Sequence, residues 1–124
     1  MTRLSALCLL PLWLTACSST AVSQPAAAVQ TVDELTQQAD QQFVGQIVQI
    51  SGRFGGWQGR CQGGPPVSRS DWMLEGEQAC LYVNGRLPAG LQQPPHKSDR
   101  GTPVTLRARL QRDRDKRLYL ERVD

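Results

Sequence analysis

Residues 104–110 alternate without a break. Val104, Leu106, Ala108 and Leu110 are apolar, and Thr105, Arg107 and Arg109 between them are polar. A period of two sends successive side chains to opposite faces of an extended chain, so this stretch specifies a strand with one face buried and the other in water. Leu118 and Leu120 continue the apolar face beyond the polar tip at 111–117. Matching the faces predicts a hairpin that pairs Leu110 with Leu118 and Ala108 with Leu120. The same register sets Arg107 opposite Glu121 and Arg109 opposite Tyr119, both favourable cross-strand neighbours.

The same period runs from Gln46, with Val48, Ile50, Gly52 and Phe54 on one face and Gln49, Ser51 and Arg53 on the other. Gly52 inside this strand predicts a bulge or sharp bend. Residues 70–83 predict a second hairpin. With Gly76 at the first central position of a two-residue II′ turn, Leu74 faces Ala79, Trp72 faces Leu81 and Ser70 faces Val83. Met73, Cys80, Asp71 and Tyr82 then fall on the outward face. Ahead of the strands, Thr31-Val32-Asp33-Glu34 fits a capping box, and Val32, Leu35, Ala39 and Phe43 recur at helical spacing. A short amphipathic helix over about residues 32–43 is expected, ended by Gly45. Two connections, 55–67 and 84–101, are dense in Gly and Pro and predict irregular structure.

The expected fold is therefore mainly β: a small five-stranded barrel preceded by one short helix. The stretch Phe43-Val44-Gly45-Gln46-Ile47-Val48-Gln49-Ile50-Ser51-Gly52 resembles the entry to bacterial OB-fold domains, where a helix leads into V-G-x-x-V-x-I-x-G. Residues 70–74 and 79–83 resemble the strand 2–3 hairpin of such domains, and residues 102–110 resemble strand 4. The resemblance implies an OB-like barrel over residues 31–124. The Pro-rich segment stands where the OB helix usually lies, between strands 3 and 4. Another small β-barrel or a β-sandwich is the alternative.

The N-terminus carries a different pattern. Arg3 precedes an apolar run (Leu4 to Leu14) too short to span a bilayer, which reads as a signal peptide over residues 1–16. It closes on Leu14-Thr15-Ala16-Cys17, which resembles the lipobox of bacterial lipoprotein precursors. The resemblance implies that Cys17 becomes the first of 108 mature residues and carries lipid (palmitate), anchoring the chain to a membrane. Ser18 is not the aspartate associated with inner-membrane retention, so the outer membrane, facing the periplasm, is the expected location. Residues 17–30, rich in Ser, Ala, Pro and Gln, form the expected lipidated tether, with a span of roughly 20 Å.

That compartment bears on the cysteines. Cys8 leaves with the signal peptide and Cys17 takes the lipid. Cys61 and Cys80 remain, an even pair in an oxidising environment, and are expected to form a disulfide. Neither C-x-x-C spacing nor further ligands support a redox pair or a metal site. Joining Cys61 to the outward Cys80 drapes the 55–67 loop over the face where OB domains bind ligands. The bridge either shapes a site there or closes it.

Trp57, Arg60, Arg69 and Tyr82 are the candidate ligand-binding residues, since aromatics with arginines stack on bases or sugar rings. The basic tip (Arg112, Arg114, Lys116, Arg117), interleaved with Asp113 and Asp115, is expected to be a solvated loop, with contact to an anionic surface as the alternative. His96, the only histidine, stands without a cluster of other ligands. No catalytic residue, metal or cofactor is assigned, and the chain is not expected to be an enzyme. The expected partners are the membrane, through the anchor, and an envelope protein or polymer. Oligonucleotide or oligosaccharide binding is the alternative. The compartment and a net charge of only +3 argue against nucleic acid.

Overall fold

The structure is a computed structural model describing residues 28–92 and 94–124. The signal peptide, Cys17 and residues 18–27 of the tether lie outside the described residues, as does the side chain of Ala39. The elements are β1 (Gln30–Thr31), α1 (Val32–Gln42), β2 (Ile47–Gly56), β3 (Trp72–Glu75), β4 (Cys80–Asn84), a 3₁₀ turn (Lys97–Asp99), β5 (Pro103–Arg112) and β6 (Leu118–Arg122). Strand order is β1-β2-β3-β4-β6-β5, and β2 also pairs with β5. That last pairing closes β2 to β6 into a five-stranded OB-like barrel. β1 adds a short parallel strand on the edge of β2.

Closure depends on β2. Residues Ile47–Arg53 pair antiparallel with β5, and Arg53–Gly56 pair with β3. Two glycines make this possible. The expected bulge lies at Gly55 and not at Gly52: the β2–β3 register skips a residue between Phe54 and Gly56. Gly52 serves a different purpose. A Cβ there would lie 2.9 Å from the Glu75 carbonyl oxygen, the Leu74 side chain and Cγ2 of Val32, so only glycine lets the start of α1 and strand β3 approach together.

The expected apolar faces meet inside the barrel. Val48, Ile50 and Phe54 of β2, Trp72 and Leu74 of β3, Leu81 and Val83 of β4, Val104, Leu106, Ala108 and Leu110 of β5 and Leu120 of β6 are all buried. Val32 and Leu35 of α1 join them, and Phe43 packs alongside. The capping box forms as expected: the Thr31 hydroxyl accepts from the Glu34 N–H, and the Glu34 carboxylate accepts from the Thr31 N–H. The described residues between β4 and β5 hold no α-helix. Their one regular turn is at Lys97–Asp99, and Leu91 is buried against the core.

Both hairpins differ from expectation by two residues of register. Leu74 faces Leu81 and Trp72 faces Val83, while Leu110 faces Leu120 and Arg109 faces Glu121. A slip of two leaves every side chain on its expected face, which is why the core is unchanged. The cause is loop length. The β3–β4 turn uses four residues, Gly76 to Ala79, because the Asp33 carboxylate in the first turn of α1 accepts the N–H groups of Glu77 (2.7 Å), Gln78 (3.0 Å) and Ala79 (2.7 Å). Gly76 is not a II′ residue here. A Cβ on it would sit 2.5 Å from an Asp33 oxygen, so glycine makes room for the carboxylate. At the other tip, Asp113 Oδ1 accepts from the N–H groups of Asp115 and Arg117 and holds a five-residue loop.

The Ala79 N–H is the main influence holding the Asp33 carboxyl below its usual range. Partial burial opposes it, and the Glu77 and Gln78 N–H groups and the charge of Arg60 reinforce it. A carboxyl lowered on folding adds stability that is complete above its unfolded value and lost as pH falls through the folded value. Asp33→Ala is expected to cost about 1–3 kcal/mol at neutral pH in urea denaturation. The gap between wild type and variant should close below pH 4. A gap constant with pH would show that the carboxylate does not carry this contact.

Candidate ligand cleft

The loop from Trp57 to Ser70 lies over the outward side of β3 and β4. Cys61 and Cys80 are disulfide-bonded, with their Cα atoms 5.0 Å apart. Around that bond the loop is held by hydrogen bonds. The Gly59 N–H points at Met73 Sδ (3.0 Å), the Arg60 N–H donates to Glu75 Oε1 (2.9 Å), and the Tyr82 hydroxyl donates to the Gly63 carbonyl (3.0 Å). The loop's end is fixed by Asp71. Its buried carboxylate accepts from the N–H groups of Val67 and Ser68, the Ser68 hydroxyl and the Asn84 amide. Met73 and Tyr82 point away from the barrel core yet are only 4% and 8% exposed, because the loop covers them.

Between the loop and the β5–β6 tip lies a cleft of about 380 Å³, floored by the disulfide, Leu81 and Tyr82. Arg112, Lys116, Arg117 and Leu118 form its far wall. Arg117 bridges the two sides. Its guanidinium donates to Asp113 Oδ2 (2.8 Å) and to the carbonyls of Gln62 (3.3 Å) and Gly64 (3.2 Å). Gly63, at φ 79°, has no Cβ because one would collide with the Arg117 guanidinium. Lys116 stands at φ 63°, exposed at the rim. Burial works against ionisation of Asp113. The Arg117 N–H and guanidinium and the Asp115 N–H outweigh it, and the carboxyl is held below its usual range. Tyr119, which sits beside Tyr82 across the parallel β4–β6 pair, is pushed up by burial and by the charges of Glu121, Asp113 and Asp71.

The four sequence candidates do not form one site. Tyr82 lies in the cleft floor, under the loop. Arg60 turns the other way, its guanidinium donating to the carbonyls of Gly76 and Glu77, with Glu75 3.6 Å away. Trp57 is half-exposed and donates from Nε1 to the Ser70 carbonyl (3.3 Å). It lines a separate hollow of about 250 Å³ with Phe54, His96 and Arg100. Arg69 is exposed on the loop and belongs to neither. The residues that do gather, Arg112, Lys116 and Arg117, come from the tip expected to be merely solvated. Barrel topology was the signal for them, because an OB-like order brings the loop after β2 and the tip after β5 to the same face.

Comparison with protein-family models, with curated proteins and with solved structures returns no match.

Replacing both cysteines (Cys61→Ser with Cys80→Ser) is expected to lower stability by about 3 kcal/mol, the chain-entropy value for a loop of this length. Amide exchange at 57–70 should accelerate while the β2–β5 amides keep their protection. Unchanged exchange in the loop would mean that its hydrogen bonds suffice without the bridge.

Proposed function

We propose that this chain is a lipid-anchored, non-enzymatic binding module of the bacterial envelope, facing the periplasm and attached to the outer membrane through Cys17. Its cleft takes an acidic segment of an envelope polymer. The cleft itself carries this reading: a concave space of about 380 Å³ with the disulfide in its floor and a rim of Arg112, Lys116 and Arg117. Pockets of a few hundred cubic ångströms suit small ligands or short polymer segments. The ammonium of Lys116, exposed at that rim, favours carboxylate or phosphate groups.

The carboxylates support a binding role over a hydrolytic one. Asp33, Asp71, Asp99 and Asp113 each accept backbone N–H donors and hold turns together. A general acid or base needs an oxygen turned toward substrate. The lipobox supports the anchor, and the modest net charge supports a ligand other than nucleic acid.

Two measurements test the two halves. Metabolic palmitate labelling should vanish in Cys17→Ala, and persistent labelling would refute the anchor. In titrations at two salt concentrations, peptidoglycan fragments with free stem carboxylates should bind more tightly than single-stranded DNA. Lys116→Glu should weaken that binding about tenfold, or about 1.4 kcal/mol. Tight, steeply salt-dependent DNA binding would overturn the assignment.

A further inference from the structure

A second surface lies on the far side of the barrel. In the closed order β2-β3-β4-β6-β5, β4 is two strands from β2 one way and two from β5 the other. The outer face of β2 and β5 therefore looks away from the cleft over β4. Registers define what it carries. Gln49 pairs with Arg107, and the Val123 N–H donates to the Arg107 carbonyl (3.1 Å). Gln30 pairs with Ile50, so one residue earlier Val29 stands beside Gln49. Val29, Gln49, Arg107 and Val123 thus form one row across the outer face. The next row holds Ile47 and Arg109, which pair directly.

The composition of this face is unusual. Of six large apolar side chains exposed among the described residues, four are here or beside it: Val29 (46%), Ile47 (43%), Val123 (39%) and Val44 (41%), the last in the turn that feeds β2. Among the described residues the guanidinium groups of Arg107 and Arg109 have no hydrogen-bond or ion-pair partner, though the Arg107 backbone N–H donates to Asp124 Oδ2 (3.4 Å). Glu121, across from Arg109, is hydrogen-bonded by Gln111, and Asp124 pairs with Arg122. Apolar side chains interleaved with unpaired arginines are the make-up of surfaces that rest on anionic bilayers. The chain's path agrees. Val29 stands twelve positions after Cys17, a reach of about 40 Å at full stretch, and Val29 itself lies on this face.

We infer that the β2–β5 face, through Val29, Ile47, Arg107 and Arg109, lies against an anionic phospholipid surface and turns the cleft outward from the membrane. This rests on the lipid-anchor reading above. Seated this way, the domain presents Lys116 and the disulfide floor to the periplasm instead of burying them in headgroups.

The test uses the full lipidated chain in vesicles of phosphatidylethanolamine and phosphatidylglycerol. Ile47 or, as a control, Lys116 is replaced by a photo-crosslinking p-benzoylphenylalanine. Position 47 should give lipid adducts and position 116 should not. Arg107→Glu with Arg109→Glu should cut the yield at 47 by about fivefold or more, since each basic residue near an anionic surface contributes about that factor. Equal yields at 47 and 116, or adducts at 47 only to a second protein, would overturn the orientation while leaving the anchor intact. Failure of the unmodified chain to float with vesicles would instead overturn the anchor, and the orientation with it.

Discussion

One strand with two partners inside the barrel makes this molecule. β2 pairs with β5 along its first part and with β3 along its last, so the sheet closes on itself and no long edge is left over. Backbone hydrogen bonds alone do not permit that. The strand must bend, and something must fill the inside of the bend. The bulge at Gly55 supplies the turn, and the missing side chain at Gly52 lets Val32, Leu74 and the Glu75 carbonyl converge. Any larger residue at 52 meets backbone on one side and core side chains on the other. The cleft is a consequence of this closure. Only in a closed barrel do the loop after β2 and the tip after β5 reach the same side of β4.

A second constraint works at longer range. Carboxylates organise the irregular parts of this chain. Asp33 sets the length of the β3–β4 turn, Asp71 closes the large loop, Asp99 accepts the His96 N–H and shapes the 3₁₀ turn, and Asp113 holds the hairpin tip. Each gathers donors that a loop would otherwise leave to water. The disulfide and Arg117 then fasten the loop to the barrel from two directions. A domain of about ninety residues buries a modest fraction of its unfolded surface, so such ties matter more than in a larger protein.

These facts explain what was legible in the sequence. Local periodicity identified the helix, its cap, the apolar faces of all five barrel strands and the outward position of Cys80. Register escaped it, because turn length was decided elsewhere: nothing near Gly76 signals that Asp33, more than forty residues earlier, will occupy its turn. β1 escaped for another reason, since two residues are too few to show a period. The candidate site was half legible. The draped loop and Tyr82 followed from Cys61 and Cys80. Trp57 and Arg60 are in that loop too, but hydrogen bonds turn them away from the cleft. Lys116 and Arg117 looked like a solvated tip because their role depends on a loop more than fifty residues away.

Amide chemical-shift mapping of the labelled chain, titrated with peptidoglycan fragments, tests whether ligand enters between the tethered loop and the β5–β6 tip. Perturbations should cluster at 61–64, 80–82 and 112–118, with the β2–β5 face unmoved. Shifts centred on Ile47, Arg107 and Arg109, or on the hollow beside Trp57, with the cleft silent, would contradict it.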